Sequence, residues 1–291
     1  MQIEEKNGSL ILKGLEDFDA KKIFECGQAF RFIKEEDGSY TNVAHKKIIN
    51  VKNEKDGVLI RATTLKEFED IWWDYFDLDR DYEQIRKKLS PDEILRPALD
   101  YGKGIRILNQ DPFETIITFI ISANNQIPRI QKAVEKIAKM YGSPFKSYDG
   151  KTYYTFPDAK TLSRAKAEDL RKDARVGFRD ERIVKASEMI NSKEVDIDKI
   201  RKMDLEDQRK ELMRLPGVGP KVADCILLFS FGRSESFPVD VWIKRVVENL
   251  YFGEEIPKSK LAAHGRDIFG AYAGFAQQYL FYYGRENKLG K

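Results

Sequence analysis

Lys221 follows the string Leu215-Pro216-Gly217-Val218-Gly219-Pro220 and falls in the first turn of the helical pattern that comes after it. A helix N-terminus disfavours an ammonium and so does partial burial, so both effects push the amine toward its neutral form. A neutral lysine amine is a nucleophile that can form a Schiff base; the same residue on an open surface would simply contact a phosphate. Asp240, in Phe237-Pro238-Val239-Asp240-Val241-Trp242, directly precedes an apolar helical pattern (Val241, Val246, Val247, Leu250) and reads as its N-cap. A cap carboxylate fixed by amides is also a rigid anion suited to stabilising a developing cation, and the two roles are compatible. Cys225 comes four residues after Lys221, one helical turn on, which puts both on one face.

These residues need a frame, and the spacing around them predicts one. Helical patterns over 205–214 and 221–231, the second closed by Gly232, flank the Pro-Gly-Val-Gly turn and make a helix-hairpin-helix over about 205–231. Its glycines let backbone approach a phosphate without a Cβ in the way, and the amides opening the second helix point at the anion. Gly-x-Gly alone would also serve as a tight helical connection; the full Leu-Pro-Gly-Val-Gly string with its following lysine is more specific.

Upstream, Asp111-Pro112-Phe113-Glu114 supplies an N-cap, a proline at the first helical position and a glutamate three residues after the cap. The helix it opens, through Ile121, is apolar on nearly every face and should be the central buried one. It stops at Ser122-Ala123-Asn124-Asn125, and Pro128 starts another carrying Val134, Ile137 and Met140. Pro157-Asp158 opens an amphipathic stretch, and Gly177 breaks the chain before a helix near 181–190. The first sixty-odd residues read instead as antiparallel sheet, with short apolar runs at 10–12, 29–33, 40–44, 48–51 and 58–62; Asp37-Gly38 and Asp56-Gly57 suit hairpins. From Leu65 the period turns helical, with Phe68, Ile71, Trp72, Tyr75 and Phe76 on one core-facing stripe. The expected architecture is α+β: an antiparallel β-sheet domain with a flanking helix over 1–85, then a mostly α-helical core over 86–291.

Composition removes other chemistries. The chain of 291 residues has 2 Cys and 2 His, each far from its fellow, which argues against a disulfide framework, a four-Cys zinc site or iron–sulfur cluster, and His-based zinc. Catalysis must lean on Lys, Asp, Glu, amides and backbone. The longest apolar stretches, 116–121 and 225–231, are too short to span a bilayer, and the opening Met1-Gln2-Ile3-Glu4-Glu5 lacks a signal-peptide pattern, so a cytoplasmic protein is expected. The formal net charge of +3 is unevenly spread: residues 1–100 hold 17 basic and 22 acidic side chains, the remainder 34 and 26. A polyanionic partner for the second part follows.

Taken in order, six segments resemble the 8-oxoguanine DNA glycosylase/lyase branch of the helix-hairpin-helix DNA glycosylase superfamily. They are Glu25-Cys26-Gly27-Gln28-Ala29-Phe30-Arg31, Gln110-Asp111-Pro112-Phe113-Glu114, Ser122-Ala123-Asn124-Asn125-Gln126-Ile127-Pro128-Arg129, Val176-Gly177-Phe178-Arg179, the hairpin from Leu215 to Cys225, and Gly274-Phe275-Ala276-Gln277-Gln278-Tyr279-Leu280-Phe281. The resemblance covers most of the chain. It implies excision of 8-oxoguanine from duplex DNA by base flipping, then strand nicking at a lysine Schiff base by β-elimination. Lys221 would attack C1′ and Asp240 would stabilise positive charge on the sugar. Phe281 and Cys225 would stack on the base, Gln277 would bond its Watson–Crick edge, and the Gly27 carbonyl would accept from N7–H, which guanine lacks. On the other strand Asn124 would fill the vacated space, Arg129 and Arg179 would donate to the estranged cytosine, and Phe178 would be a wedge. Gly217, Gly219 and Val222 would meet phosphate, with no cofactor beyond a structural monovalent cation on the carbonyls of Met213, Leu215 and Val218. The partner would be double-stranded DNA containing 8-oxoguanine, with no membrane, and the enzyme a monomer.

Three departures stand out. Trp242 replaces a phosphate-contacting histidine, Phe178 lacks a tyrosine hydroxyl, and Gln126 stands in place of a third asparagine. They bear on discrimination for cytosine more than on the chemistry. An alkylated-base glycosylase on the same scaffold would not need Lys221. A non-catalytic helix-hairpin-helix DNA-binding module would explain the hairpin and the basic bias, but not Lys221, Asp240, Gln277 and Phe281.

Overall fold

The computed structural model describes residues 1–289; Gly290 and Lys291, which end the expected helical region, lie outside the described residues. Six strands form one antiparallel sheet: β1 Gln2–Lys6, β2 Ser9–Lys13, β3 Phe32–Lys34, β4 Tyr40–Ala44, β5 Lys47–Glu54 and β6 Gly57–Arg61, in the order β1-β2-β6-β5-β4-β3. Alternation along β2 and β6 buries Leu10, Leu12, Val58 and Ile60 on one face. That face packs on a helical run over 65–75, whose middle, Phe68–Trp72, is a π-helical turn. Phe68, Trp72, Tyr75 and Phe76 are buried there as the stripe predicts, with Ile71 only half-buried.

The sheet differs from expectation in three places. β1 was not expected: Gln-Ile-Glu-Glu-Lys carries one apolar side chain, because an edge strand has little to bury. The run 29–33 becomes a strand only from Phe32, since Phe30 turns away to meet the Phe119 ring, centroids 5.6 Å apart, in the helical core. The second hairpin turns on Lys55-Asp56, and Gly57 already pairs with Glu54. Gly57 is required there because a Cβ would sit 2.3 Å from the Leu12 carbonyl oxygen of the neighbouring strand.

The helical core is organised around Pro112–Ser122, where Phe113 and every residue from Thr115 to Ile121 are buried. Asp111 caps it, accepting from the Glu114 amide at 2.8 Å. Against this helix pack Ile127–Tyr141, Asp180–Asn191 and Pro220–Ser230. Val134 and Ile137 are buried in the first of these three helices, whereas Met140 is exposed. Pro157-Asp158 opens only a single turn, Ala159–Leu162. The chain's last helix, Ala273–Glu286, packs on Arg96–Tyr101 and Val241–Val247 and returns to the segment between β2 and β3.

Candidate active site

Leu205–Leu212 and Pro220–Ser230 are the two helices of the hairpin. The turn between them closes on a Val218 N–H to Leu215 carbonyl bond of 3.0 Å, and Gly217 takes φ +89°, a left-handed conformation that favours glycine. Arg209 ties the two helices together, donating from Nε and Nη2 to one oxygen of Asp224 at 2.8 and 2.7 Å. No sequence signal marks that buried pair; it is a long-range contact between residues that read as surface charges.

An open groove of about 660 Å³ runs along the start of the second hairpin helix. Its walls include Asn124, Asn125, Gly217, Gly219, Lys221, Val222, Asp240, Trp242 and Lys258. Behind it lies a narrower pocket bounded by Gly27, Phe119, Cys225, Gln277, Gln278 and Phe281. Lys221 and Asp240 line both spaces, so they stand at the passage between them. The pocket holds about 50 Å³, room for one or two waters and less than a purine occupies.

Each pocket residue is set by its own element. Lys221 is half-buried in the first turn of Pro220–Ser230, its Nζ 5.3 Å from the centroid of the Phe119 ring on the central helix. Cys225 lies one turn on and lines the same pocket; burial pushes its thiol up to about 11. Asp240 caps Val241–Val247, accepting from the Ile243 amide at 2.7 Å. One oxygen thus holds the helix, which fixes the carboxylate while it borders the pocket. Gln277 is 5% exposed and its Oε1 has no hydrogen-bond partner among the described residues. A buried orphan acceptor costs about 1–3 kcal/mol, and this one belongs to a residue that lines the pocket.

Gly27 has φ +84°, and a Cβ added there would come within 3.0 Å of the Phe281 ring. Two independent requirements therefore select glycine. Its carbonyl accepts no hydrogen bond among the described residues.

Across the groove, the expected opposite-strand residues separate into two kinds. Asn124 projects from the end of the central helix in a left-handed conformation, φ +51°, and is exposed. Arg129 is exposed and makes no ion pair among the described residues. Phe178, 55% exposed, lies between two guanidinium groups, Arg179 at 4.2 Å and Arg182 at 5.2 Å from its ring centroid. Arg179 differs: it is 6% exposed and donates to the main-chain carbonyls of Ala123, Asn124 and Val176. In this structure it holds the turn that presents Asn124, and its donors already have partners.

Among the residues expected at phosphate and cation, Gly219 is informative. A Cβ built on it would meet nothing within 4 Å, so the fold itself does not ask for glycine. Gly217 instead lies 3.2 Å, measured from such a Cβ, from Arg182 and Ile120. Val222 is buried and lines the groove. Of the three carbonyls expected around a cation, that of Leu215 accepts from Val218, and those of Met213 and Val218 accept from no described residue. Lys258, a groove residue without a sequence signal, adds positive charge to the groove.

The family model described as 8-oxoguanine DNA glycosylase, N-terminal domain, matches residues 10–116, and that of the HhH-GPD superfamily base excision DNA repair protein matches residues 117–269. The chain is 36% identical over 233 residues to a probable N-glycosylase/DNA lyase of Methanothermobacter thermautotrophicus, covering 74% of each. It is 30% identical over 276 residues to an Arabidopsis thaliana N-glycosylase/DNA lyase, covering 89% of this chain and 75% of the relative. Among solved structures, the Clostridium acetobutylicum 8-oxoguanine glycosylase/lyase bound to double-stranded DNA with cytosine opposite the lesion superposes with a TM-score of 0.96. It is 42% identical, with 99% of each chain covered.

Proposed function

The chain belongs to the 8-oxoguanine DNA glycosylase/lyase family of helix-hairpin-helix base-excision repair proteins, an N-glycosylase and DNA lyase acting on 8-oxoguanine in DNA, and from that premise we propose how its residues carry out the reaction. One observation carries the reading: Lys221 and Asp240 border both an open groove and the narrow pocket behind it. Duplex DNA lies in the groove, and the damaged nucleotide swings out of the stack into the pocket, with Phe281 moving off Gly27 to admit it. Unstacking costs a few kcal/mol, offset by contacts to the bent duplex.

Attack requires the neutral amine, so Nζ of Lys221 first gives up a proton. Its lone pair then forms a bond to C1′ as the C1′–N9 bond breaks and the base departs with that electron pair. Asp240 stabilises the positive charge that builds on the sugar at this stage. The C1′–O4′ bond then breaks, O4′ leaving with the electron pair and taking up the proton that nitrogen sheds, and an imine (protonated at nitrogen) joins Lys221 to C1′. Loss of a proton from C2′ then expels the 3′ phosphate by β-elimination, and water releases the lysine.

Selectivity rests on two acceptors that lack partners among the described residues. The Gly27 carbonyl accepts from the N7–H of 8-oxoguanine and faces a lone pair in guanine. Gln277 meets the Watson–Crick edge, with Cys225 and Phe281 against the base faces. A misplaced lone-pair contact in a buried site costs about 1–3 kcal/mol, a useful but incomplete filter. On the other strand Phe178 wedges the kink, Asn124 fills the gap, and Arg129 donates to the estranged cytosine. Arg179 joins it only by leaving the Ala123 carbonyl. The amides at Gly219 and Val222, with Gly217 before them, receive a phosphate at the helix N-terminus, and a monovalent cation on Met213, Leu215 and Val218 would brace the turn. The enzyme acts as a monomer. Among the described residues no helix is long and apolar enough to cross a membrane.

Borohydride reduction of a reaction on duplex containing 8-oxoguanine tests the chemistry. A covalent adduct forms with the native enzyme and is lost in Lys221→Gln; no adduct with the native enzyme would sink the lysine mechanism.

A further inference from the structure

Four consecutive carbonyls, those of Glu25, Cys26, Gly27 and Gln28, belong to the segment whose Cys26 and Gly27 line the base pocket. Three are pinned by side chains from elsewhere in the fold. Arg285 Nη2 donates to Glu25 O at 2.6 Å, Gln278 Nε2 to Cys26 O at 2.9 Å, and Gln110 Nε2 to Gln28 O at 2.8 Å. The fourth, Gly27 O, accepts nothing among the described residues. The Gln28 side chain anchors the same segment from below, donating to Ile23 O and Arg106 O and accepting from Leu108 N.

From this pattern we propose that Gln278 and Arg285 are specificity-determining positioning residues: they hold the peptide planes before Gly27 so that its carbonyl alone is offered to the flipped base. The proposal rests on the reading that Gly27 O senses the N7 proton. Glycine at 27 is free to rotate, and its φ of +84° is one of several accessible states. A peptide flanked by such a residue keeps its orientation only if something outside holds it. Gln278 is 2% exposed, and its amide is the one partner of the Cys26 carbonyl among the described residues. Without that donor, a buried carbonyl gains by turning toward any other, and the peptide between Cys26 and Gly27 turns with it. Arg285 serves a second purpose: its guanidinium lies 5.5 Å from the centroid of the Phe281 ring, so one side chain ties the carbonyl loop to the stacking wall. The two partners lie on the helix that also carries Gln277 and Phe281. Base reading from both sides of the pocket is therefore referred to one rigid element.

The test compares two substrates for each variant: duplex with 8-oxoguanine opposite cytosine, and duplex with a preformed abasic site, which reaches Lys221 with no base to read. Gln278→Met keeps the volume and removes the donor. The expected result is a fall of about tenfold in the ratio of single-turnover excision of 8-oxoguanine to borohydride trapping at the abasic site. The preference for 8-oxoguanine over guanine should fall with it, and thermal melting serves as the folding control. Arg285→Met should lower the same ratio, and Arg285→Lys should restore part of it. If abasic trapping fails in the native enzyme, the lysine mechanism is at fault. If trapping and excision fall equally in Gln278→Met, or neither falls, the positioning role is wrong. Should Gln278→Met not fold, the Arg285 pair decides by the same ratio.

Discussion

Arg179 lies across the turn that ends the central helix, its Nε and Nη2 both directed at the carbonyl of Ala123. A residue type usually read as a DNA contact is here largely a structural brace. Its neighbour Phe178 lies against the same guanidinium, so the brace also positions that exposed ring.

Arg179 and Arg129 should accordingly behave differently when truncated. Arg179→Ala leaves buried carbonyls unpaired and should cost about 2–3 kcal/mol of unfolding free energy. Arg129→Ala should change stability by less than about 0.5 kcal/mol and lower the preference for cytosine opposite the lesion about tenfold. Urea melts, together with excision rates opposite cytosine and adenine, check both. A stable Arg179→Ala protein would show that the brace is dispensable.

The two hairpin glycines give a second contrast. Gly217→Ala meets left-handed strain and contacts at 3.2 Å, and should destabilise by about 1–2 kcal/mol. Gly219→Ala finds open space and should melt within about 0.5 kcal/mol of the native protein while binding duplex several-fold more weakly. Equal DNA affinity in Gly219→Ala would remove the phosphate from that position.

Both thiols should be inert. Burial pushes Cys26 and Cys225 up to about 11, so each stays protonated at pH 8. Iodoacetamide should label neither in the native enzyme and both in denaturant. Native labelling of Cys225 at the rate of a free thiol would mean that the pocket is far more open than described.

Glu114 should make stability depend on pH. Burial raises its carboxyl from 4.5 to about 7, against the opposing pull of Arg31, with Asp111 and Glu135 adding to the rise. The folded protein thus keeps a proton that the unfolded chain has released. That contribution is complete below pH 4.5 and is lost as the pH rises through 7. Glu114→Gln should therefore gain about 1–3 kcal/mol relative to the native protein between pH 5 and 8. Urea unfolding at the two pH values measures it, and a pH-independent difference would refute it.

What the sequence made legible was local. Asp111, Asp240 and the Pro-Gly-Val-Gly turn announce themselves within a few residues, because caps and left-handed turns are local physics. Family resemblance then assembled Gly27, Lys221, Cys225, Asp240, Gln277 and Phe281, and the fold brings all six to one pocket. Hidden were contacts joining distant segments: Gln278 to Cys26 spans 252 residues and Arg285 to Glu25 spans 260. No periodicity encodes such pairs. Nor could it show that Arg179 points inward, since a side chain's direction is set by the elements around it.

The unexpected first strand has a consequence for handling the protein. β1 lays Glu4, Glu5 and Lys6 along the outer border of the sheet, with Glu4 bonded to Lys13 of β2. Charge along a border strand discourages a second molecule from adding its own strand there. Trimming those first residues would uncover Ser9-Leu10-Ile11-Leu12-Lys13, a short apolar strand still paired with β6 but with the main-chain donors and acceptors that faced β1 unused. A shortened enzyme should keep its pocket and its lysine yet cohere with its own copies, a fault that would show as turbidity and look in an assay like lost activity.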